Sequence, residues 1–207
     1  MNALLITISI IAAYLSGSFP SAYLVARLRK GIDIRSVGSR NMGAMNTFYK
    51  VGFWYGMLVL GLDISKGIIA VAIPTVLHLD QVVQLVCGGV VVLGHGYPVF
   101  LKLKGGKGGA TVIGVLAFLI PWGNPAYLAL FLLLLAITRF PTLSYSFAFL
   151  CFPLIGWFVY HSMALTIFSV AILLIPGIKY FPRIIEMRAK SGGWKHLFLR
   201  HNLKDRL

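Results

Sequence analysis

Long apolar stretches separated by short polar segments dominate this chain. Seven such stretches occupy residues 4–28, 53–77, 82–101, 110–121, 126–137, 143–160 and 164–178. An α-helix needs about 20 apolar residues to cross the hydrocarbon core of a bilayer, and fewer where the bilayer thins or the span is partial. The pattern therefore predicts an all-α, polytopic integral membrane protein with about seven transmembrane helices.

The two shortest stretches, 110–121 and 126–137, leave the topology open. The segment between them, Trp122-Gly123-Asn124-Pro125, is typical of a turn, so they form either two short spans or one long bent span. Apart from Lys66, the basic residues fall in four groups, at 27–50, 102–107, 139 and 179–206. Seven spans with the N-terminus outside place all four groups and the C-terminus in the cytoplasm, in agreement with the positive-inside rule. Six spans would put Arg139 and the basic tail outside, so we predict seven.

The composition agrees with this class and limits the possible functions. Of 207 residues, 58% are hydrophobic and only 12% are charged, and the net charge is +14. We expect one membrane domain at residues 1–178, with cytoplasmic loops at 29–52 and 102–109, and a basic tail at 179–207. No soluble domain remains to bind nucleic acid. The basic face either orients the chain and attracts anionic lipid headgroups, or captures an anionic substrate.

The first cytoplasmic loop contains the polar run Val37-Gly38-Ser39-Arg40-Asn41-Met42-Gly43-Ala44-Met45-Asn46. Its small residues allow tight turns, and backbone amides exposed at such turns can bind an anion. Ser39, Asn41 and Asn46 add neutral hydrogen-bonding groups. The alternative is that Ser39 or Asn41 only caps an interfacial helix.

The second loop, Leu101-Lys102-Leu103-Lys104-Gly105-Gly106-Lys107-Gly108-Gly109, directly precedes an apolar stretch. Glycines permit close backbone approach, and a helix N-terminus beside ammonium groups is suited to a phosphate. The G-x-x-x-x-G-K-[ST] spacing of a P-loop is absent. The alternative is a basic turn that only enforces orientation.

Three further ionisable residues lie in or near the apolar stretches. His95, between Gly94 and Gly96, is either a packing residue or a phosphate contact or proton carrier. Asp63 and Lys66 share one helical face because they are three residues apart. They either neutralise each other, or Lys66 faces a substrate phosphate.

Several catalytic motifs are absent from the sequence. No histidine is followed by aspartate at the His-x-x-x-x-Asp spacing, no G-x-S-x-G turn occurs, and no metal-ligand cluster is present. Catalysis should therefore depend on substrate positioning and charge stabilisation, without a metal or cofactor.

Taken together, these motifs resemble those of the acyl-phosphate:glycerol-3-phosphate acyltransferase (PlsY) family. The similarity lies in residues 17–28, 31–35 and 38–46, in Leu62-Asp63 with Lys66-Gly67, and in residues 94–111. It implies a multi-pass enzyme of the bacterial inner membrane that acts among membrane lipids. Such an enzyme transfers a fatty acyl group from acyl phosphate to the 1-hydroxyl of glycerol 3-phosphate and releases lysophosphatidate and phosphate. The resemblance implies no cofactor, and the sequence gives no indication of a partner protein.

The resemblance also assigns roles to residues. The residues that orient the donor or the acceptor hydroxyl are Ser39, Asn41 and Asn46. Those that bind substrate phosphate are Lys104, Gly105, Gly106, Lys107 and Gly108, with Lys66 and His95 lining the same pocket and Arg183 contributing charge from the last motif.

The chain departs from the family pattern at several positions. It has Arg40 where the family has glycine, Met45 where it has threonine, and Tyr49 where it has arginine; in the last motif, Arg183 stands where asparagine is usual. Either Lys50 and Arg183 restore the charge with different geometry, or the chain is a non-catalytic or altered-specificity paralogue that binds phosphorylated lipids. A transporter is a third alternative, but no inverted repeat is apparent.

Overall fold

A computed structural model describes residues 2–191 of the chain. Within these residues the structure is helical, with ten α-helices and one 3₁₀ turn at Val99–Leu101. The helices are α1 (Asn2–Ser18), α2 (Ser21–Lys30), α3 (Ala44–Lys50), α4 (Phe53–Val76), α5 (Gln81–Gly96), α6 (Gly109–Leu119), α7 (Gly123–Thr138), α8 (Pro141–Ala148), α9 (Cys151–Phe158) and α10 (Met163–Ser191).

Every predicted apolar stretch is helical. Five helical segments are long and apolar enough to span a membrane, and α6 and α7 are shorter apolar helices. The five are Asn2–Lys30, Phe53–Val76, Gln81–Leu101, Pro141–Phe158 and Met163–Glu186. The protein is therefore an all-helical, multi-pass integral membrane protein, as predicted.

Prolines explain where some of these segments break. A proline lacks an N–H and its ring clashes with the carbonyl four residues earlier. Pro20 accordingly separates α1 from α2, and Pro153 follows the break between α8 and α9. The turn predicted at 122–125 lies instead at residues 120–122, because Pro125 is accommodated in the first turn of α7, where an N–H has no helical acceptor.

The described chain forms two compact units, one ending at Leu119 and the other beginning at Ile120. In the first unit, α1 packs on α5 and α4 packs on α6. Glycines allow both contacts: a β-carbon on Gly17 would overlap the backbone of Val91, and one on Gly114 would overlap the carbonyl oxygen of Ile64. Small residues at such crossings let helix backbones approach closely in a membrane.

The first cytoplasmic loop is anchored to this helical unit by apolar side chains. Ile34 and Met42 are buried in a cluster with Ala22 and Ala26 of α2 and Val59 of α4. This packing anchors the chain just before the polar run and again within it, so the loop is an integral part of the fold.

In the second unit, α7 packs on α8 and α9, and α9 packs on α10. Tyr127, Phe149 and Phe152 form an aromatic cluster with ring centroids 5.3–6.3 Å apart. Helix α10 continues through residue 178, so the first part of the predicted tail is helical. Residues 192–207, the rest of that tail, lie outside the described residues.

Candidate active site

The side chain of Asn46 organises the first loop. Asn46 lies in α3 and is 2% exposed. Its Oδ1 accepts a hydrogen bond from the backbone N–H of Ser39 at 3.1 Å. Its Nδ2 lies within hydrogen-bonding distance of three backbone carbonyl oxygens, those of Ile34 (2.9 Å), Val37 (3.0 Å) and Asn41 (3.1 Å). Asn46 therefore holds the loop closed around its amide group.

The other two polar residues of this motif are placed differently. Ser39 and Asn41 are both half-buried. Among residues 2–191, the Ser39 hydroxyl and the Asn41 side-chain amide have no hydrogen-bond partner, although the backbones of both residues contact Asn46. The side chains of Ser39 and Asn41 can therefore still form hydrogen bonds, whereas the Asn46 side chain already uses its hydrogen-bonding groups within the loop.

Two positions in the polar run 37–46 have backbone in the left-handed region. Gly38 has φ 60° and Arg40 has φ 57°. Glycine adopts this conformation without a steric penalty, whereas a residue with a β-carbon does so at a cost of about 1–2 kcal/mol. The conformation at Arg40 gives a physical reason for the glycine that the family pattern has there.

The glycine loop, residues 105–108, is held against the C-terminal end of α5. The N–H of Gly105 donates to the carbonyl of Gly96 at 3.2 Å, and the N–H of Gly106 donates to the carbonyl of His95 at 3.1 Å. A β-carbon on Gly106 would overlap both the Nε2 atom of His95 and the carbonyl oxygen of Met42. Gly106 is therefore the point where α5, the first loop and the glycine loop meet.

Helix α6 begins directly after the glycine loop. The first amides of a helix have no acceptor within it, so the N–H groups of Gly109, Ala110 and Thr111 are donors at the loop's end. Lys104 is exposed and Lys107 is half-buried at the start of this segment. Helix amides and ammonium groups so close in sequence form a favourable environment for an anion.

A buried polar cluster lies beneath these loops. Asp63 in α4 is 1% exposed, and its Oδ1 accepts a hydrogen bond from Ser21 Oγ at 2.6 Å. The same oxygen lies 2.9 Å from Lys66 Nζ and 3.7 Å from His95 Nδ1. The structure shows the Asp63–Lys66 pair, one of the two alternatives that the sequence left open.

Lys66 also links this cluster to the break between α1 and α2. Its Nζ donates to the carbonyl oxygens of Gly17 at 3.2 Å and Phe19 at 3.4 Å. Its three donor positions are matched by three protein acceptors. The structure thus gives Lys66 a structural role, and its contact with substrate stays a prediction.

Arg35 connects the first loop to the segment after α5. It pairs with Asp33 at 2.7 Å, its guanidinium lies 5.2 Å from the ring centre of Tyr23, and Nη1 reaches the carbonyl of Leu101 at 3.4 Å. The hydrogen bond from Arg35 lowers the pKa of Asp33 below its ordinary value of 3.8. Both residues keep their charges at neutral pH, which preserves this connection.

In one of the two alternatives left open by the sequence, Lys50 and Arg183 restore the charge that is missing from the family motifs. The aliphatic stem of Lys50 folds over Gly38: a β-carbon there would lie 2.7 Å from Lys50 Cε. This places Lys50 beside the Ser39 turn. Arg183 belongs to the second unit, where its Nη1 pairs with Glu186 Oε2 at 2.6 Å. The participation of either residue in substrate binding stays a prediction.

Sequence reasoning missed the central contacts of this site. The sequence placed Ser21 only within the motif at residues 17–28. Its contact with Asp63, 42 residues later, could not be predicted from the spacing of residues along the chain. The contact of Gly106 with His95 depends on how the loop returns to α5. Within residues 2–191, no group of three His, Cys, Asp or Glu side chains is placed to hold a metal ion.

Comparison with known proteins gives consistent matches. Residues 7–190 match the family described as glycerol-3-phosphate acyltransferase. Glycerol-3-phosphate acyltransferase 2 of Dehalococcoides mccartyi (strain 195) is 52% identical over 210 residues, covering 100% of both chains. Glycerol-3-phosphate acyltransferase of Bacillus subtilis is 40% identical over 172 residues, covering 83% of this chain and 89% of its own.

Solved structures agree with the sequence matches. The glycerol 3-phosphate form of PlsY (YgiH), an integral membrane glycerol 3-phosphate acyltransferase, is 32% identical, with a TM-score of 0.82 over 90% of this chain and 92% of that one. The lysophosphatidic acid form of the same enzyme gives 31% identity and a TM-score of 0.79, with the same coverage.

Proposed function

Because the chain belongs to the glycerol-3-phosphate acyltransferase family, we propose that it uses acyl phosphate to acylate the 1-hydroxyl of glycerol 3-phosphate. The chain is a membrane-embedded glycerol-3-phosphate acyltransferase that produces lysophosphatidic acid. The identity of the donor and the roles of individual residues are the proposal.

One observation carries the assignment of the site. Gly106 brings the glycine loop, the end of α5 and the first loop together, with the carbonyl of Met42 and the ring of His95 against a residue that has no side chain. One stretch of chain contains the loop backbone, Lys104, Lys107 and the N-terminus of α6. Such an arrangement suits the phosphate group of glycerol 3-phosphate.

The proposed reaction needs little acid–base chemistry from the protein. The 1-hydroxyl oxygen attacks the acyl carbonyl carbon, an ester bond forms, and the bond from that carbon to the phosphate oxygen breaks. The departing phosphate takes the hydroxyl proton, so atoms and charges balance. Ser39 and Asn41 would orient the donor or the acceptor hydroxyl, while Lys104 and Lys107 would stabilise phosphate charge.

The test is product formation by the purified full-length protein in lipid vesicles. Labelled glycerol 3-phosphate is supplied with palmitoyl phosphate or, separately, with palmitoyl-CoA, and lysophosphatidate is measured. We expect product with palmitoyl phosphate only. Product with palmitoyl-CoA alone would contradict the proposed donor. Lys104→Met and Lys107→Met should each raise the KM for glycerol 3-phosphate about tenfold or more, whereas Lys195→Met, a matched loss of charge in the tail, should not.

The departures from the family pattern favour one alternative to the proposed donor, an acyltransferase of altered specificity. The specific observation is Tyr49, which replaces a charged residue at a motif position by an uncharged one. Binding of glycerol 3-phosphate by folded protein that forms no lysophosphatidate with either donor would support that alternative.

A further inference from the structure

We infer that Asp63 is a positioning residue for acyl transfer: it acts through His95, whose ring lies between the Asp63 carboxylate and Gly106 of the glycine loop. The inference rests on the proposed function, because it concerns how the phosphate-binding loop keeps its shape. Asp63 itself does not contact substrate in this account.

Asp63 lies in an environment that is unfavourable for an unpaired charge. Its side chain is 1% exposed inside a membrane span, where a charged group is costly unless it is paired. Lys66 supplies the opposite charge at 2.9 Å and Ser21 donates a hydrogen bond at 2.6 Å. The pair balances its own charge, and for helix packing alone an apolar pair of similar volume would often serve equally well. The carboxylate therefore calls for a further explanation.

The ring of His95 lies between Asp63 and the glycine loop. Its Nδ1 lies 3.7 Å from Asp63 Oδ1, which is beyond hydrogen-bond length, so the carboxylate is the negative group that faces this edge of the ring. Its Nε2, at the other edge of the ring, lies against Gly106. A negative carboxylate on the Nδ1 side favours the ring orientation that turns Nε2 toward Gly106.

His95 also contacts the glycine loop through its backbone. The carbonyl of His95 accepts the N–H of Gly106 at 3.1 Å, and the carbonyl of Gly96 accepts the N–H of Gly105 at 3.2 Å. The backbone and the ring of His95 thus both determine where Gly106 lies. If the ring turns, the glycine loop moves relative to Met42. This movement in turn changes how well the substrate phosphate fits the loop.

A purely structural role for the carboxylate would give a different outcome. The Asp63–Lys66 pair also joins α4 to the α1–α2 break through the carbonyls of Gly17 and Phe19. Loss of that connection alone should lower thermal stability without a selective effect on glycerol 3-phosphate binding. The informative quantity is therefore the KM for glycerol 3-phosphate compared with kcat and with the melting temperature.

The test compares variants of the full-length protein that are first shown to fold in lipid or detergent. Asp63→Asn alone leaves Lys66 buried without a counter-charge, so the charge-balanced pair Asp63→Asn with Lys66→Met is the primary variant. We expect it to raise the KM for glycerol 3-phosphate about tenfold, with kcat changed less than threefold. His95→Gln should give a similar increase, and adding it to the pair should raise the KM no further, because both changes remove the same connection.

Three controls separate this effect from others. Lys66→Met alone removes the ammonium group and keeps the carboxylate facing His95, so it shows how much of the KM increase of the double variant comes from the loss of Lys66. Val71→Ala, a buried cavity variant in the same helix, shows how much a loss of stability changes KM by itself. Asp80→Asn makes the same chemical change at the opposite end of α5.

The inference is overturned by an unchanged KM in the folded double variant, or by a KM increase in Lys66→Met alone that equals that of the double variant. The inference is also overturned if adding His95→Gln to the double variant multiplies the increases in KM that the two sets of changes produce separately. A wild-type protein that forms no lysophosphatidate would instead contradict the proposed function, so the two failures are distinguishable.

Discussion

At the scale of single residues, the buried side chain of Asn46 holds the first loop in shape. Asn46 uses its amide to hold the carbonyls of residues 34, 37 and 41 and the amide of Ser39. A buried group that loses its hydrogen-bond partner costs about 1–3 kcal/mol. The geometry of the first loop therefore depends on the chemistry of one side chain.

Replacement of Asn46 tests this dependence. Asn46→Ala should lower the free energy of unfolding by about 3 kcal/mol and abolish most activity, because several loop groups lose their partner. Asn46→Asp should also fail, since a carboxylate can accept from Ser39 but cannot donate to carbonyls. Ser36→Ala, in the same loop but exposed, should change stability by less than about 0.5 kcal/mol. Thermal unfolding and acyl transfer measure both effects; a stable, active Asn46→Asp protein would refute the role given to the amide.

Only part of this residue-level detail could be predicted from the sequence. Asp63 and Lys66 could be paired in advance because a helix places residues three apart on one face. Asn46 could be recognised as a motif residue, but its partners depend on the path of an irregular loop. Ser21, which completes the cluster around Asp63, gave no local signal, because the contact joins elements distant in sequence.

At the scale of elements, the glycine loop is defined by close approach. Gly106 lies against His95 and Met42, with no space for a side chain. Lysines and glycines in the sequence predicted the loop, and the helix start at Gly109 agrees with that prediction. What the sequence could not reveal is which glycine faces another element, since that depends on the return of the loop to α5.

Substitution of glycines tests the element. Gly106→Ala should lower kcat/KM about a hundredfold, because the loop must move away from His95 to accommodate a methyl group. The matched control is Gly89→Ala in α5, where a β-carbon would meet no atom within 4 Å. It should leave activity unchanged and stabilise the helix by up to about 1 kcal/mol. Equal activity of Gly106→Ala and wild type in the lysophosphatidate assay would contradict the proposed role of the loop.

The Asp33–Arg35 pair gives a pH-dependent prediction for the first loop. The pKa of Asp33 is lowered by the hydrogen bond from Arg35, so its stabilising contribution is present above the ordinary aspartate pKa and is lost as pH falls through the lowered value. The contribution is small, because the Asp33 side chain is 35% exposed. The melting temperatures of wild type and Asp33→Asn should differ at pH 7 and converge below about pH 3.8. A difference that widens on acidification would show the opposite linkage.

At the scale of the whole molecule, the periodicity of apolar residues was sufficient to predict the class of fold. All seven stretches are mainly helical, although short breaks near Pro20, Pro98 and Pro153 divide three of them and α6 and α7 are short. The extent of the last helix was harder to predict, because α10 continues into the basic segment as far as Ser191. Hydropathy falls there without any change in helical structure.

Orientation in the membrane remains a prediction from the distribution of basic residues. With the N-terminus outside and the C-terminus in the cytoplasm, a fluorescent protein fused after Leu207 should fold and fluoresce, and alkaline phosphatase at the same position should be inactive. Active phosphatase at that position would require the opposite orientation of the tail.

The central claim is that the chain catalyses acyl transfer from acyl phosphate. The most direct measurement is the release of inorganic phosphate from palmitoyl phosphate by the purified protein in vesicles, with and without glycerol 3-phosphate. We predict release that depends on the acceptor, with one lysophosphatidate formed per phosphate, and its loss in Ser39→Ala. Release that is independent of glycerol 3-phosphate, or no release from folded protein, would contradict the account.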